Sequence, residues 1–379
     1  MIPSDAHAVA GIGALASVGS TTDEIFESLC AGRSGLAPMR GFDPDCFGAG
    51  HLYEIDDRPA TGDVPLRATA FLLDAVAQAL ADAGLGDNLG GIPVLVGSGL
   101  RELRSVELRH RGAAFDAAQL HFGTALRRRF GATMTHTVSN ACSASLYALA
   151  MGTDLLDAGA ADTVVVAGVD SITESMFANA DRLQSVPPDT VRPFDRDRRG
   201  TILGEGAAAV VLRRGTAPDA ARHGAVRGVA VNCDAQHATA PDRVSIAAAM
   251  RDAYHRAAVT PSDIDLVMLH GTGTHANDEA EAGALAEVFG PQMSRPLMTA
   301  MKSMTGHTSG ASGLHSLITA LQSFRRRRVP PTLGLDHPIE QAAGFRFVRG
   351  AAAPSAARLA QINAFGFGGI NAVAIVEAP

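Results

Sequence analysis

Among four cysteines and thirteen histidines, three residues stand where chemistry can be done. Cys142 lies in TVSNACSASLYALA, just where a small-residue helix is about to begin. A helix N-terminus favours thiolate over thiol through its dipole and its free N–H groups, so a nucleophile for acyl transfer is one reading. A small buried apolar cysteine is the other, and the commoner fate of a free Cys. Flanking Ser143 and Ser145 do not decide between them. Cys30, inside the periodic EIFESLCAG, fits the bland reading, and Cys46 and Cys233 carry no signal. His270 follows the apolar run DLVML and opens HGTGT. It is expected at the carboxyl end of a strand, where open α/β sheets carry their sites. His307 sits in KSMTGHTSGASG, among glycines that let backbone come close to a ligand. Either histidine alone reads equally as a satisfied structural residue; a Cys and two such histidines together are less easily dismissed.

Lys302 shares the His307 stretch and is the one lysine among 32 basic residues, the other 31 being arginine. A compact ammonium with rotatable donors serves where a wide planar fork will not; a chance leftover of compositional bias is the competing explanation. The glycine-rich text at Phe365–Gly369 looks like a phosphate cradle, but no GxGxxG follows a first strand and no GxxxxGK[ST] exists. A turn that offers backbone N–H groups to an oxyanion is the better functional reading. The runs Arg127–Arg129 and Arg325–Arg328 read as solvated helix ends, the second placed before Pro330 and Pro331. Docking of an acidic partner is the sharper alternative for the second run.

The elements that must hold these residues alternate along the chain. Runs rich in Val, Leu and Ile at 94–96, 163–167, 208–212, 266–269 and 372–376 read as buried strands. Ala/Leu segments at helical spacing lie between them: TAFLLDAVAQALADAGL, CSASLYALAMGTDLLDAG, SIAAAMRDAYHRAAV and GLHSLITALQSF. Continuous apolar strands alternating with helices mean an α/β protein whose strands are covered on both faces. The two halves rhyme. NACSASLYALAMGTDLLDAG pairs with TGHTSGASGLHSLITALQS, and GEGAAAVVLRR at 204–214 with GFGGINAVAIVEA at 366–378. One α/β unit used twice is expected, with residues 1–215 carrying the cysteine and 216–379 the histidines and lysine.

Composition narrows the function. At 379 residues, 46% hydrophobic and 19% charged, the chain is no disordered segment. A net charge of −7, no Trp and three Tyr argue against nucleic-acid binding. No CxxC pair suggests a metal, and four cysteines in so long a chain are no disulfide framework. No apolar run approaches the roughly 18 residues of a membrane helix, and no Lys or Arg precedes Arg33, so no signal peptide is expected. A cytoplasmic protein is the plain expectation.

Five ordered motifs now resemble one family. NACSAS at 140–145, RPFDRDRRGTILGEGAAAVVL at 192–212, HGTGTHANDEAEA at 270–282, KSMTGHTSGASG at 302–313 and NAFGFGGINA at 363–372 are similar to those of the β-ketoacyl-[acyl-carrier-protein] synthases. The likeness runs from GIGALASVG at 11–19 to the last strand. It implies a thiolase-like fold, a five-layered α-β-α-β-α sandwich from an internal duplication, which explains the rhyming halves. It implies that Cys142 takes an acyl group from a carrier protein's phosphopantetheine arm, with no resident cofactor or metal. N–H groups of Cys142 and Phe367 would hold the oxyanion, with Phe367 also gating the nucleophile. His270 and His307, kept neutral, would bind the malonyl thioester carbonyl, promote loss of carbon dioxide and stabilise the enolate. Lys302 would support the site by pairing with a carboxylate and orienting the histidine loop. Thr272 and Thr274 would contact the pantetheine arm; Asp278 and Glu281 read as structural.

The segment between the GSG turn at 97–99 and Cys142 departs from the resemblance. It is visibly shorter than family members show, and RELRSVELRHRGAAFDAAQLHFGTALRRRFG lacks the expected proline-containing text. In the family this region shapes the acyl pocket and the dimer interface. A specialised polyketide or aryl-polyene-like pathway is therefore favoured over housekeeping fatty-acid synthesis, with a homodimer or a heterodimer with a paralogue both open. Two alternatives remain. A non-catalytic partner of the chain-length-factor kind would lack the nucleophile, and a thiolase-type acyltransferase would pair one His with a second Cys.

Overall fold

Residues that are apolar without interruption become central strands, because only a strand covered on both faces can use them. The computed structural model describes residues 6–59, 62–183, 186–215 and 221–379. In the first half the elements are β1 (His7–Ala16), α1 (Thr22–Cys30), α2 (Arg67–Asp82), β2 (Val94–Gly97), α3 (Leu103–Arg109), α4 (Phe122–Phe130), β3 (Thr135–Val138), α5 (Ala144–Asp157), β4 (Thr163–Asp170), α6 (Glu174–Leu183) and β5 (Gly206–Arg213). In the second they are β6 (Ala225–Cys233), α7 (Arg243–Ala257), β7 (Leu266–Met268), α8 (His275–Phe289), β8 (Leu297–Thr299), α9 (Lys302–Thr305), α10 (Ser312–Arg326), β9 (Arg346–Phe347), β10 (Leu359–Gly366) and β11 (Ile370–Glu377).

These eleven strands run in the order β9-β8-β7-β10-β11-β6-β1-β5-β4-β2-β3. Within the sheet the halves join through a short antiparallel pairing of His7 with Val226 and Ala8 with Ala225. On either side the same pattern appears. β3-β2-β4-β5-β1 pairs parallel, parallel, antiparallel, antiparallel, and β8-β7-β10-β11-β6 repeats that sequence of directions. One α/β unit is used twice, as its rhyming text implied. The expected seam at 215/216 borders residues 216–220, which lie outside the described residues.

Helices complete five layers. α2 covers β1, β4 and β5, while α7, with α8 beside it, covers β6 and β11. α5 and α10 pack on each other and touch strands of both halves, which makes them the middle layer. A helix caught between two sheets must be apolar or small all round. α10 meets that demand with every side chain buried from Ser312 to Phe324. Close approach is arranged by glycine: a Cβ on Gly97 would stand 2.3 Å from the Ala144 carbonyl carbon, so the start of α5 rests directly on β2. No helix among the described residues is long and apolar enough to cross a membrane.

The Arg325–Arg328 run ends α10 as read, but three of its four charges are already partnered. Arg325 and Arg326 reach Asp23 at 3.2 and 3.0 Å, and Arg328 reaches Glu27 at 2.7 Å, both carboxylates on α1. Intramolecular contacts thus take up most of the charge that the docking alternative would use, leaving Arg327 exposed.

Candidate active site

Cys142 sits in a single tight turn, Ala141–Ser143, between β3 and α5. Ala141 adopts a left-handed φ of 45°, an unusual setting for a residue with a Cβ and one that turns the next residue sharply outward. Ser143 fastens the turn by donating to the Asn140 carbonyl at 3.1 Å and to the Ile370 carbonyl at 3.0 Å. A Cβ on Gly366 would lie 3.2 Å from Cys142 N, so the glycine turn after β10 leans directly on the cysteine. The backbone N–H groups of Phe367 and of Cys142 itself point at the sulfur. These are the two groups the family resemblance assigned to an oxyanion. The Phe367 ring is 45% exposed beside them.

The thiol corrects an expectation. A helix start should lower its pKa, yet burial pushes it up to about 11, and the Asp170 carboxylate adds to the rise. Lys302 and the two N–H groups pull the other way without winning.

His270 leaves the carboxyl end of β7 and His307 precedes the turn Ser309–Ala311 that enters α10. Their rings lie 5.4 Å apart, close to perpendicular at 81°, and Phe365 closes on His270 at 5.6 Å. Both histidines are buried, and both are held well below the ordinary range by that burial and by the Lys302 charge. Their tautomers follow from their neighbours. Lys302 Nζ donates toward His270 Nδ1 at 3.3 Å, and Ser309 N–H donates to His307 Nδ1 at 3.2 Å. With each Nδ1 accepting, each neutral ring must carry its proton on Nε2. The pair therefore offers two N–H donors to one place.

Lys302 opens α9, buried, and donates to the His270 carbonyl oxygen as well. Burial holds its ammonium down at about 8, while Glu281, Cys142 and Asp278 favour the charge. The expected pairing with a carboxylate is not formed: no ion pair of Lys302 occurs among the described residues, and its hydrogen bonds go to His270 instead. The carboxylates act one step away. Glu281 accepts from the N–H groups of His270 at 2.8 Å and Gly271 at 2.9 Å, and from Asn363 Nδ2 at 2.9 Å. Asp278 accepts from Phe194 N–H at 2.7 Å and Gly273 N–H at 3.3 Å. Both hold the 270–273 loop, in keeping with their structural reading. Thr272 and Thr274 share a hydroxyl contact of 2.8 Å, and Thr274 caps α8 by accepting from Asn277 N–H at 3.3 Å.

Two residues near the site escaped the sequence reading. Asp170, at the end of β4, is a buried carboxylate whose pKa is pushed up to about 6 by burial. An acid closing the apolar run DTVVVAGVD was a usable signal. Tyr53 gave none. It is buried under the Lys302–His307 stretch, donating to the Ser303 carbonyl at 3.1 Å, and a Cβ on Gly306 would strike its ring at 2.4 Å. No cluster of three or more His, Cys, Asp or Glu among the described residues could hold a metal ion.

The family profiles for the β-ketoacyl synthase N-terminal domain and C-terminal domain match residues 7–217 and 223–336. A 3-oxoacyl-[acyl-carrier-protein] synthase 2 of Vibrio cholerae serotype O1 is 31% identical, covering 96% of each chain. Nodulation protein E of Rhizobium meliloti is 28% identical over 96% of this chain and 97% of its own. Among solved structures, the ishigamide ketosynthase/chain length factor matches with a TM-score of 0.88 and 31% identity, covering 99% of both chains. The chain belongs to the β-ketoacyl synthase family, acyltransferases of the condensing type.

Proposed function

We propose that this enzyme lengthens an acyl chain by two carbons through decarboxylative condensation with a malonyl thioester, both partners being delivered on an acyl carrier protein. The observation that carries the reading is the pair of buried histidines, each with Nδ1 occupied and Nε2–H free, set beside a cysteine turn backed by two N–H groups. In the first half-reaction the Cys142 sulfur attacks the acyl thioester carbonyl. The N–H groups of Cys142 and Phe367 hold the developing oxyanion, the pantetheine thiolate leaves and takes up the thiol's proton, and an S-acyl enzyme remains. The malonyl thioester then places its carbonyl oxygen at the two Nε2–H donors. Its carboxylate departs as carbon dioxide, and the bonding electron pair becomes an enolate held by His270 and His307. The enolate carbon attacks the S-acyl carbonyl, the Cys142 thiolate leaves, and the β-ketoacyl chain stays on the carrier. No resident cofactor or metal is required. Thr272 and Thr274 line the approach of the pantetheine arm, and Phe367 moves to admit it.

The pathway is read as specialised, of the polyketide or aryl-polyene type. Support comes from the shortened 101–131 segment and from the likeness to a structure named for a ketosynthase and its chain length factor. The same likeness supports a dimer, with itself or with a paralogue. The edge strand β3, with His136 and Thr137 exposed and Met134 at 45%, is the free sheet edge where a second chain would pair. We place the working enzyme in the cytoplasm as two halves, 1–215 and 216–379. Assembly of Cys142 with both histidines speaks against a non-catalytic partner subunit.

Intact mass spectrometry after incubation with acyl-carrier protein should show one acyl adduct on the wild type and none on Cys142→Ala. Adding malonyl-carrier protein should then release carbon dioxide and the elongated product. Acylation of Cys142→Ala at the wild-type level would overturn the assignment.

A further inference from the structure

The reaction just described leaves the buried carboxylate Asp170, beside the cysteine, without work. Asp170 is 1% exposed, and no lysine or arginine neutralises it among the described residues. Instead, four donors converge on it. Oδ1 accepts from Ser98 Oγ at 2.7 Å and Leu100 N–H at 2.8 Å; Oδ2 accepts from Gly99 N–H at 2.8 Å and Gly310 N–H at 2.7 Å. Three of these donors belong to the turn after β2 and the fourth to the turn after His307. A Cβ on Gly99 would stand 3.2 Å from Asp170 Oδ2, 3.4 Å from Ser309 Oγ and 3.6 Å from Ala141 O. The carboxylate therefore ties the turn after β2, which lies against Ala141 of the cysteine turn, to the turn that follows His307.

The duplication shows what is special there. The turn Ser309–Ala311 enters α10 as Ala141–Ser143 enters α5, and Ser309 repeats the left-handed φ of Ala141, 48° against 45°. Gly310 thus occupies the place of Cys142. β10 corresponds to β4, and it ends at Gly366 where β4 ends at Asp170. In one half the strand end presses a carboxylate onto the turn amide; in the other a glycine leaves that place open beside the sulfur.

We infer that Asp170 is a positioning residue for the condensation, a clamp whose single carboxylate binds amides of the turn after β2 and of the turn after His307, and so holds His307 in place beside the nucleophile. The inference rests on the reading of Cys142 and His307 under Proposed function. A backbone amide offers only a donor, so an acceptor-only group is required at the junction. Asparagine keeps the shape but turns an NH2 toward N–H groups, leaving donor against donor in a dry site. The His307 turn is then released, while the Phe367 and Cys142 N–H groups that serve acylation stay in place. The substitution also removes a negative charge that holds the thiol up. The two half-reactions move in opposite directions, which simple loss of structure would not produce.

The test uses the full chain. Iodoacetamide labelling of Cys142, resolved by peptide mass from the exposed Cys46 and Cys233, should proceed severalfold faster in Asp170→Asn at pH 8, because the carboxylate that holds the thiol protonated is gone. Acyl-enzyme should still form, while carbon dioxide release from malonyl-carrier protein should fall on the order of 100-fold. Ser98→Ala removes one donor and no charge: labelling should be unchanged and carbon dioxide release roughly tenfold lower. Unchanged labelling, or wild-type carbon dioxide release, in Asp170→Asn would overturn the clamp. If that variant does not fold, Ser98→Ala decides, and wild-type carbon dioxide release there overturns it. A wild-type enzyme that accepts no acyl group would instead overturn the condensing reading, and the substrate-free labelling would still judge Asp170.

Discussion

Replacing Lys302 by methionine tests the electrostatic design of the site most directly. The ammonium donates to His270 twice, at Nδ1 and at the carbonyl oxygen, from a position 3% exposed. Charge-assisted hydrogen bonds are each worth about 1.5–3 kcal/mol, but freeing the site of a buried cation returns a similar sum, so stability should change little. Catalysis should not be spared. Without the donor at Nδ1, nothing holds the proton on Nε2 or the ring in its plane, and displacement of a reacting group costs on the order of 100-fold in rate. The pH profile should move as well. Lys302 lowers His270, His307 and Cys142, so its loss raises all three. Both histidines then protonate at higher pH, and the acid limb of decarboxylation shifts toward neutrality. On the alkaline side the wild type should lose activity as pH rises through about 8, where Lys302 gives up its proton, and the methionine variant should lack that limb. Lys302→Arg should fail differently. Its larger fork overpacks a closed site at a cost of about 1–3 kcal/mol, and its permanent charge abolishes the limb near 8. The assay is carbon dioxide release from malonyl-carrier protein between pH 5 and 10, with acylation scored separately by mass. A methionine variant that keeps the wild-type rate, or that still declines through pH 8, would refute the reasoning and reduce the lone lysine to a compositional accident.

His270→Ala and His307→Ala should each acylate normally yet release carbon dioxide at least about 100-fold more slowly, as expected for loss of a preorganised donor; normal release from either would remove it from the enolate site. His315, donating to Leu15 and Ala207 carbonyls, is held down at about 4 by burial. Its contribution is complete above 6.5 and is lost as pH falls toward 4, so the stability gap between wild type and His315→Gln should shrink by about 3 kcal/mol over that interval in urea titrations. An unchanged gap would mean the ring is solvated. Because Arg325 and Arg326 pair with Asp23 on an exposed face, changing both to Gln should cost no more than about 1 kcal/mol in the same titration and leave the carrier-protein KM unaltered. A raised KM would restore the docking role that the ion pairs remove.

The five strands read from apolar runs and the four helices read from spacing are all present, because burial on both faces writes itself as unbroken Val, Leu and Ile. Strands with another composition were not legible. β1 is interrupted by Gly11 and Gly13, which exist because α2 lies directly on them, and β3 is a short polar edge, THTV. The glycine text at Phe365–Gly369 reads as a turn, yet its first two residues close β10, in which Gln361 and Asn363 are buried and bonded to each other. In the site, Cys142, His270, His307 and Lys302 were each legible by type and neighbourhood, and the fold brings the two histidines and the lysine into direct contact. The tautomers of the histidines were not, since they depend on Lys302 and on an amide at Ser309. The thiol shows the limit most plainly: the helix start argues for a low pKa, and burial outweighs it.

That imbalance has a mechanistic sense which the duplication makes visible. A cysteine that stood ionised in the resting site would sit beside an ammonium held near 8 and would hold it charged, at the expense of its grip on His270. A thiol kept neutral by burial and by Asp170 leaves Lys302 to serve the histidine, and the sulfur ionises only when an acyl carbonyl arrives at the Phe367 and Cys142 N–H groups to share the charge. The second half of the fold provides both controls. It offers Gly310 at the position equivalent to the cysteine, so no second nucleophile competes, and that glycine's amide anchors the carboxylate that restrains the first. The two copies of one unit thus differ at matched places, a cysteine against a glycine at one turn and an aspartate against a glycine at one strand end.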